Sequence, residues 1–172
     1  DSLVGSFWLE RFGKRPDVLT YPGDVLELAK QGASSFHASE ELWHNPLQLS
    51  LDMKKMDVDR LRKGWDLLID IDCKFVDYSK IAADILIKAI RHHGVSSVSC
   101  KFSGGSGFHI GVPFEAFPEK VHEQETRLWF PDGPRAIALY LVDKLRRPLQ
   151  EELLKDGVEA MMAKTGLKYE EL

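Results

Sequence analysis

Two acidic residues, Asp70 and Asp72, stand in the run Trp65-Asp66-Leu67-Leu68-Ile69-Asp70-Ile71-Asp72. The run has the length and apolar content of a β-strand. Strand side chains alternate between faces, so both carboxylates point the same way. Carboxylates held that close repel, and one takes up a proton unless a cation lies between them. A hard, oxygen-seeking ion, Mg²⁺ or Mn²⁺, is the natural occupant. Leu68, Ile69 and Ile71 mark the strand as central. The plainer alternative has one Asp capping the next helix and the other solvated at a sheet edge. Asp66 shares the face by parity but sits near the strand's start and reads as exposed.

A second constellation follows at Ser103-Gly104-Gly105-Ser106-Gly107-Phe108-His109. Glycines let backbone N–H groups approach an anion without Cβ obstruction, and successive N–H groups form a concave anion nest. Ser103 and Ser106 add hydroxyl donors, His109 can donate to a phosphate oxygen, and Lys101 brings a cation close by. Alone, such a stretch is a tight turn. It is not a Walker loop, because no Gly-Lys-Ser/Thr occurs and no helix starts there. Joined in one sheet, the acidic pair and the nest suit a nucleoside triphosphate, with metal on one side and phosphate donors on the other.

The elements that must position these residues are legible in the central stretch. After the strand at 65–72, Asp77 is placed to cap a helix whose apolar positions Ile81, Ala82, Ile85, Leu86, Ala89 and Ile90 repeat at helical spacing, with Gly94 ending it. Val95 to Phe102 and Gly107 to Val112 read as two strands joined by the turn 103–106. Strand, helix, strand and hairpin make the core of an α+β sheet of ferredoxin-like or RRM-like type, mixed in strand direction, with flanking helices. Helices are expected at 134–147 and 149–165, with Pro148 separating them. Toward the N-terminus, 3–12 reads as a short helix and 24–30 as another, ended by Gly32. Residues 33–38 read as a strand, Asn45-Pro46 as a turn, and Leu47, Leu49 and Leu51 as a half-exposed strand. The charge run at 52–64 reads as a solvated face.

Composition bounds the function. The chain has 172 residues, a formal charge of −4, 44% apolar residues, 10% aromatics and four Trp, which exclude disorder and suit one domain with a real core. No apolar run approaches the roughly 20 residues that cross a bilayer, so no membrane partner is expected. Net acidity excludes coating nucleic acid through bulk charge. Two cysteines, Cys73 and Cys100, make neither a disulfide framework nor a four-Cys zinc knuckle, which favours a reducing cytoplasm.

Leu68-Ile69-Asp70-Ile71-Asp72 followed by Phe102-Ser103-Gly104-Gly105-Ser106-Gly107-Phe108-His109-Ile110 resembles the archaeo-eukaryotic primase superfamily, in particular its archaeal small catalytic subunits. The resemblance covers about 30–145, with 148–172 a helical extension. It implies that Asp70 and Asp72 bind two divalent ions, Mg²⁺ or Mn²⁺. Ser103 and His109 would contact the phosphates of an incoming NTP or dNTP, with Gly104 and Gly107 permitting the turn. It further implies DNA-templated primer synthesis, a DNA template and a large primase subunit as partners, and a cytoplasmic, nucleoid-associated location (nuclear in a eukaryote). Gly105 and Ser106 occupy positions often basic in eukaryotic relatives. No strand-borne Asp follows His109, since Asp132 lies in a Pro-Asp-Gly-Pro turn and Asp143 lies mid-helix. The family's common zinc site has no cysteines to build it. The expectation is therefore one catalytic domain over 1–172, a fragment that stops short of the family's third motif.

Two rivals come from other classes. A haloacid-dehalogenase-like phosphatase also opens with an apolar strand and Asp-x-Asp and uses a strand-terminal Ser such as Ser103. It wants a small hydroxylated or β-branched residue two after the second Asp, where Cys73-Lys74-Phe75 runs instead. A non-catalytic RRM-like nucleotide or nucleic-acid binder would leave the acidic pair unexplained. His92-His93 fit a solvated helix end, Trp43, Trp65 and Trp129 fit a core, Met161-Met162 fit helix packing, and Cys73 acts as a small hydrophobe.

Overall fold

The computed structural model describes residues 2–8, 11–12, 18–166 and 168. The chain divides into two units, 1–66 with 117–130, and 67–116 with 131–172.

The first unit is built on an antiparallel sheet in the order β2-β1-β3-β4: β1 (Ser2–Trp8), β2 (Arg11–Phe12), β3 (Ala33–Trp43) and β4 (Arg62–Trp65). Helices α1 (Pro22–Lys30) and α2 (Lys55–Leu61) connect its strands. Three expectations change here. The short helix expected at 3–12 is the β1–β2 ladder, because a brief apolar run carries no period that separates helix from strand and the long partner β3 decides it. The strand expected through Leu47–Leu51 is a 3-10 turn at Pro46–Gln48, where Asn45 Oδ1 accepts the Leu47 N–H at 3.1 Å and holds the backbone in a local turn. The charge run is a solvated helix along most of its length, but Arg62 is 5% exposed. Its guanidinium donates to Glu41 at 2.7 Å and to Asp59, and it lies over the rings of Trp43 and Phe130 at 5.5 and 5.4 Å. Beside it Trp65, 1% exposed, donates Nε1–H to the Thr126 carbonyl at 2.9 Å.

The second unit carries both sequence motifs. Its strands are β5 (Leu67–Ile71), β6 (Ser99–Phe102) and β7 (Phe108–Val112) in the order β5-β7-β6, with every adjacent pair antiparallel. Helix α3 (Val76–His92) links β5 to β6. Buried Ser79, Ala83, Leu86 and Ile90 recur every three or four residues along it, the stripe that seats a helix on a sheet. Helix α4 (Asp132–Leu153) packs on α3 and β5, and α5 (Val158–Thr165) follows. The order β5-α3-β6-β7-α4 follows a split βαβ unit, and the fold is α+β.

The run 65–72 is not one strand: Trp65 ends β4 in one sheet and Leu67 begins β5 in the other. Asp77 does not cap α3. Phe75 occupies that position, and Asp77 sits in the first turn, where its charge still complements the helix dipole. Pro148 does not break the helix; α4 runs through it and ends before Gly157 at φ +89°. Leu141 and Leu145 before the proline, and Leu149 and Leu153 after it, line one apolar groove. Leu141 is buried and the other three are half-buried, so the apolar stripe continues across the proline. Among the described residues no helix is long and apolar enough to cross a membrane.

Candidate metal and phosphate site

Register decides which side chains meet. Leu67, Ile69, Ile110 and Val112 turn toward the helices, and Leu67, Ile110 and Val112 are buried. By alternation, Leu68 and Asp70 of β5, His109 and Gly111 of β7, and Ser99 and Lys101 of β6 share the opposite face. Asp70 pairs with His109, which pairs with Lys101, so one rung across the sheet reads carboxylate, imidazole, ammonium. His109 Nε2 lies 3.4 Å from Asp70 Oδ1, with side chains 43% and 70% exposed, so both can reach a ligand from solvent. Asp72, exposed, follows the last residue of β5.

The hairpin closes on itself before it meets β5. Ser103 N–H donates to the Gly107 carbonyl at 3.0 Å, and Gly107 N–H donates to Ser103 Oγ at 3.2 Å. The Ser103 oxygen is thus engaged in the turn, while its O–H remains a donor. Gly104 takes φ +96°, the left-handed region that favours glycine. Gly107 is constrained differently: a Cβ there would stand 2.1 Å from the Ile71 carbonyl oxygen and 3.3 Å from Ser103 Oγ. The turn therefore rests against the end of β5, one residue from Asp72. Gly105 has open space around it and needs no glycine for room. Gly104, Gly105 and Ser103 are exposed and Ser106 is half-buried at the tip.

Of the nine sequence-predicted residues, eight lie on β5, β6, β7 or the turn and Asp72 directly follows β5, so all nine stand at one end of one sheet. Asp132 begins α4 and Asp143 lies within it, so neither is strand-borne. Among the described residues no group of three or more His, Cys, Asp or Glu is arranged to hold a metal ion. Cys73 and Cys100 are free thiols, and Cys73 Sγ accepts the Phe75 N–H at 3.5 Å. Asp70 and Asp72 also stand at the rim of a groove of about 910 Å³ between β5 and the helices, floored by Ile69, Ile71, Leu86, Leu141 and Met161.

Sequence reasoning passed over one rung. Leu68, Gly111 and Ser99 form the next row on the same face, and a Cβ on Gly111 would meet Ser99 Oγ at 2.7 Å and Leu68 Cδ2 at 3.4 Å. A glycine inside an otherwise apolar strand was the available signal, since it marks a close approach.

No protein-family model matches the chain. It is 26% identical over 135 residues to an uncharacterized protein of Methanocaldococcus jannaschii (MJECS07), an alignment covering 77% of this chain. The chain spans 28% of the length of that relative.

Proposed function

We propose that this unit is a divalent-metal-dependent nucleotidyltransferase of the primase type, acting on NTP or dNTP with a DNA template. One observation carries the reading. The Asp70–His109 rung and the Ser103–Gly107 turn, seated on the Ile71 carbonyl, bring acidic and anion-binding groups to one end of one exposed sheet face. Asp70 and Asp72 offer oxygen donors exposed to water, which fits Mg²⁺ or Mn²⁺, ions that keep several waters and take one or two carboxylates beside substrate phosphates. Bound there, the ion would supply charge stabilisation for a 3′-hydroxyl attacking an α-phosphate, with pyrophosphate leaving.

The chain's own residues do the rest. The N–H groups of Gly104, Gly105 and Ser106 and the Ser103 hydroxyl hold terminal phosphate oxygens, and His109 and Lys101 add donors on the neighbouring rung. A large primase subunit as partner and a cytoplasmic or nuclear setting belong to the same proposal. The test is templated synthesis with labelled NTPs and dNTPs in Mn²⁺, with Asp70→Ala/Asp72→Ala as control. Product in the wild type that disappears in the double variant supports the reading; product that persists overturns the metal assignment.

A binding-only module is the second reading: among the described residues Asp70, Asp72 and the neighbouring His109 are not arranged as a group of three that could hold a metal ion. It would bind Mn²⁺ and triphosphate without elongating a primer.

A further inference from the structure

Strand β5 pairs only with β7, so its other edge has no partner strand among the described residues. The turn shows which backbone groups that edge presents. Ser103 N–H donates to the Gly107 carbonyl, which makes residues 103 and 107 a hydrogen-bonded pair. Such pairs alternate along an antiparallel ladder. His109 therefore bonds to Lys101, while Phe108, Ile110 and Val112 bond to Ile71, Ile69 and Leu67. The N–H and C=O groups of Leu68 and Asp70 are left pointing to the free edge of β5, where no backbone group of the described residues meets them.

The groove of about 910 Å³ runs along that edge, because four consecutive residues, Ile69 to Asp72, line it. Neighbouring side chains of a strand point to opposite faces, so only the backbone edge brings all four to one cavity. The facing wall is apolar: Leu145, Leu149 and Leu153 of α4 and Met161 of α5. These four are only half-buried, as are Ile69 and Ile71. Widths account for the gap. Three strands about 4.8 Å apart cover roughly 14 Å, and two packed helices cover roughly 20 Å, so the helix layer overhangs the sheet by about one strand. Helix α4 packs on both α3 and β5, which places the overhang beside β5.

An occupant that satisfies both walls carries hydrogen-bonding groups at strand spacing toward β5 and apolar side chains toward the helices. An extended peptide does both. Its remaining side chains fall on the open face beside Asp70, 70% exposed, and the exposed Asp72, whose charge selects lysine or arginine there. A second copy of this chain fits less well, because the α4 of each copy would overhang the strand that the other presents. We propose that the β5 edge and the α4–α5 wall dock an extended segment of a partner polypeptide, alternating apolar with basic residues, as a fourth strand antiparallel to β5. This surface does not rest on the function proposed above.

The probe is the peptide acetyl-Lys-Val-Lys-Val-Lys-Val-Lys-amide, titrated against the whole chain without divalent ions, with amide hydrogen exchange followed residue by residue by NMR. Bound peptide is expected to slow exchange at Leu68 and Asp70 at least tenfold and to leave Ile69 and Ile71, already bonded to β7, unchanged. Opposed residues share a face, so the lysine amides of the peptide meet β5 and its valine amides do not. Methylating the two central lysine amides should weaken binding at least tenfold, the loss of two hydrogen bonds, whereas methylating valine amides should not. A glutamate-for-lysine peptide should bind at least fivefold more weakly. Binding without protection of Leu68 and Asp70, equal losses from both methylated peptides, equal binding of the acidic peptide, or no binding overturns the proposal. So does protection of Leu68 and Asp70 in the free chain that grows with protein concentration, the mark of a second copy as occupant.

Discussion

Replacing the three glycines of the turn one at a time by alanine separates two reasons for glycine and tests the seat on β5. A Cβ on Gly107 would lie 2.1 Å from the Ile71 carbonyl oxygen and 3.2 Å from its carbon. Nonbonded atoms rest near 3.5 Å, so the methyl is more than 1 Å too close. The obstacle is backbone inside a paired strand and cannot rotate away. Either the turn lifts from β5 or the end of β5 shifts, which costs about 3 kcal/mol. Gly104→Ala meets no atom within 4 Å but must hold φ +96°, at about 1–2 kcal/mol. Gly105→Ala meets neither obstacle and stays within about 0.5 kcal/mol of wild type. For a chain of this size each kcal/mol moves the melting midpoint by roughly 2–4 °C. The expected order of Tm is therefore Gly105→Ala at wild type, Gly104→Ala a few degrees lower, and Gly107→Ala about 6–12 °C lower, read by near-UV circular dichroism. Mn²⁺ affinity should fall with Gly107→Ala alone, because Asp72 adjoins the displaced residue. A Gly107→Ala protein that melts with Gly105→Ala would refute the close approach and, with it, the placement of the turn beside the acids.

Three further outcomes follow from charged groups of the first unit, Arg62, Asp59 and, on β3, Glu40. Arg62→Met leaves Glu41 and Asp59 without their shared partner and should cost about 3 kcal/mol in urea unfolding, more than any substitution of the exposed Arg60. Burial alone would raise the Asp59 carboxyl, but hydrogen bonds from Lys55 and Arg62 outweigh it and hold the pKa below the ordinary value. The stability this contributes is present above the ordinary carboxylate range and is lost as pH falls through the lowered pKa. An acid titration of Tm should lose that slope in Asp59→Asn. Glu40 goes the other way: burial, then the neighbouring Glu41 charge, raise its pKa, so its protonated form is favoured on folding and the favourable contribution is lost as pH rises through the raised value. Glu40→Gln should raise Tm at pH 7 and leave it unchanged at pH 3.

The second unit was readable because its elements carry unambiguous periods. Ile81, Ile85 and Leu86 recur at helical spacing, and Ser103-Gly104-Gly105-Ser106 lies between two strand-like runs, so α3 and the hairpin turn fall where patterning puts them, while the strand expected over 95–102 is shorter, β6 beginning only at Ser99. The first unit was less readable because its sheet is set by long-range pairing. Nothing local to 3–12 announces that it pairs with β3, and nothing local to Glu40-Glu41 announces that β3 runs past 38 to Trp43 against β4; a polar strand ending is stabilised by its partners on either side. The break at Asp66 is also non-local, since apolar content is continuous across it and only the two different partners, β3 and β7, divide the run. In the site, residue types were legible and contacts were not. That Gly107 is glycine for the sake of the Ile71 carbonyl, and Gly111 for the sake of Ser99, is written in the approach of residues 36 and 12 positions apart, respectively, in sequence.

The alternation of β5 also decides which insertions the chain can absorb. Leu67 and Ile69 face the helices and Leu68 and Asp70 face the other way. One residue added after Leu67, with the pairing before it kept, exchanges the faces beyond it: Ile69 moves to the open face opposite His109, and the Asp70 carboxylate takes the inward place of Ile71 opposite Phe108. The same insertion between Gly94 and Val98, where the chain carries no ladder, leaves every face as it was. Core packing thus guards the spacing of the acids without contacting a ligand, and length variation in this sheet belongs in its connections.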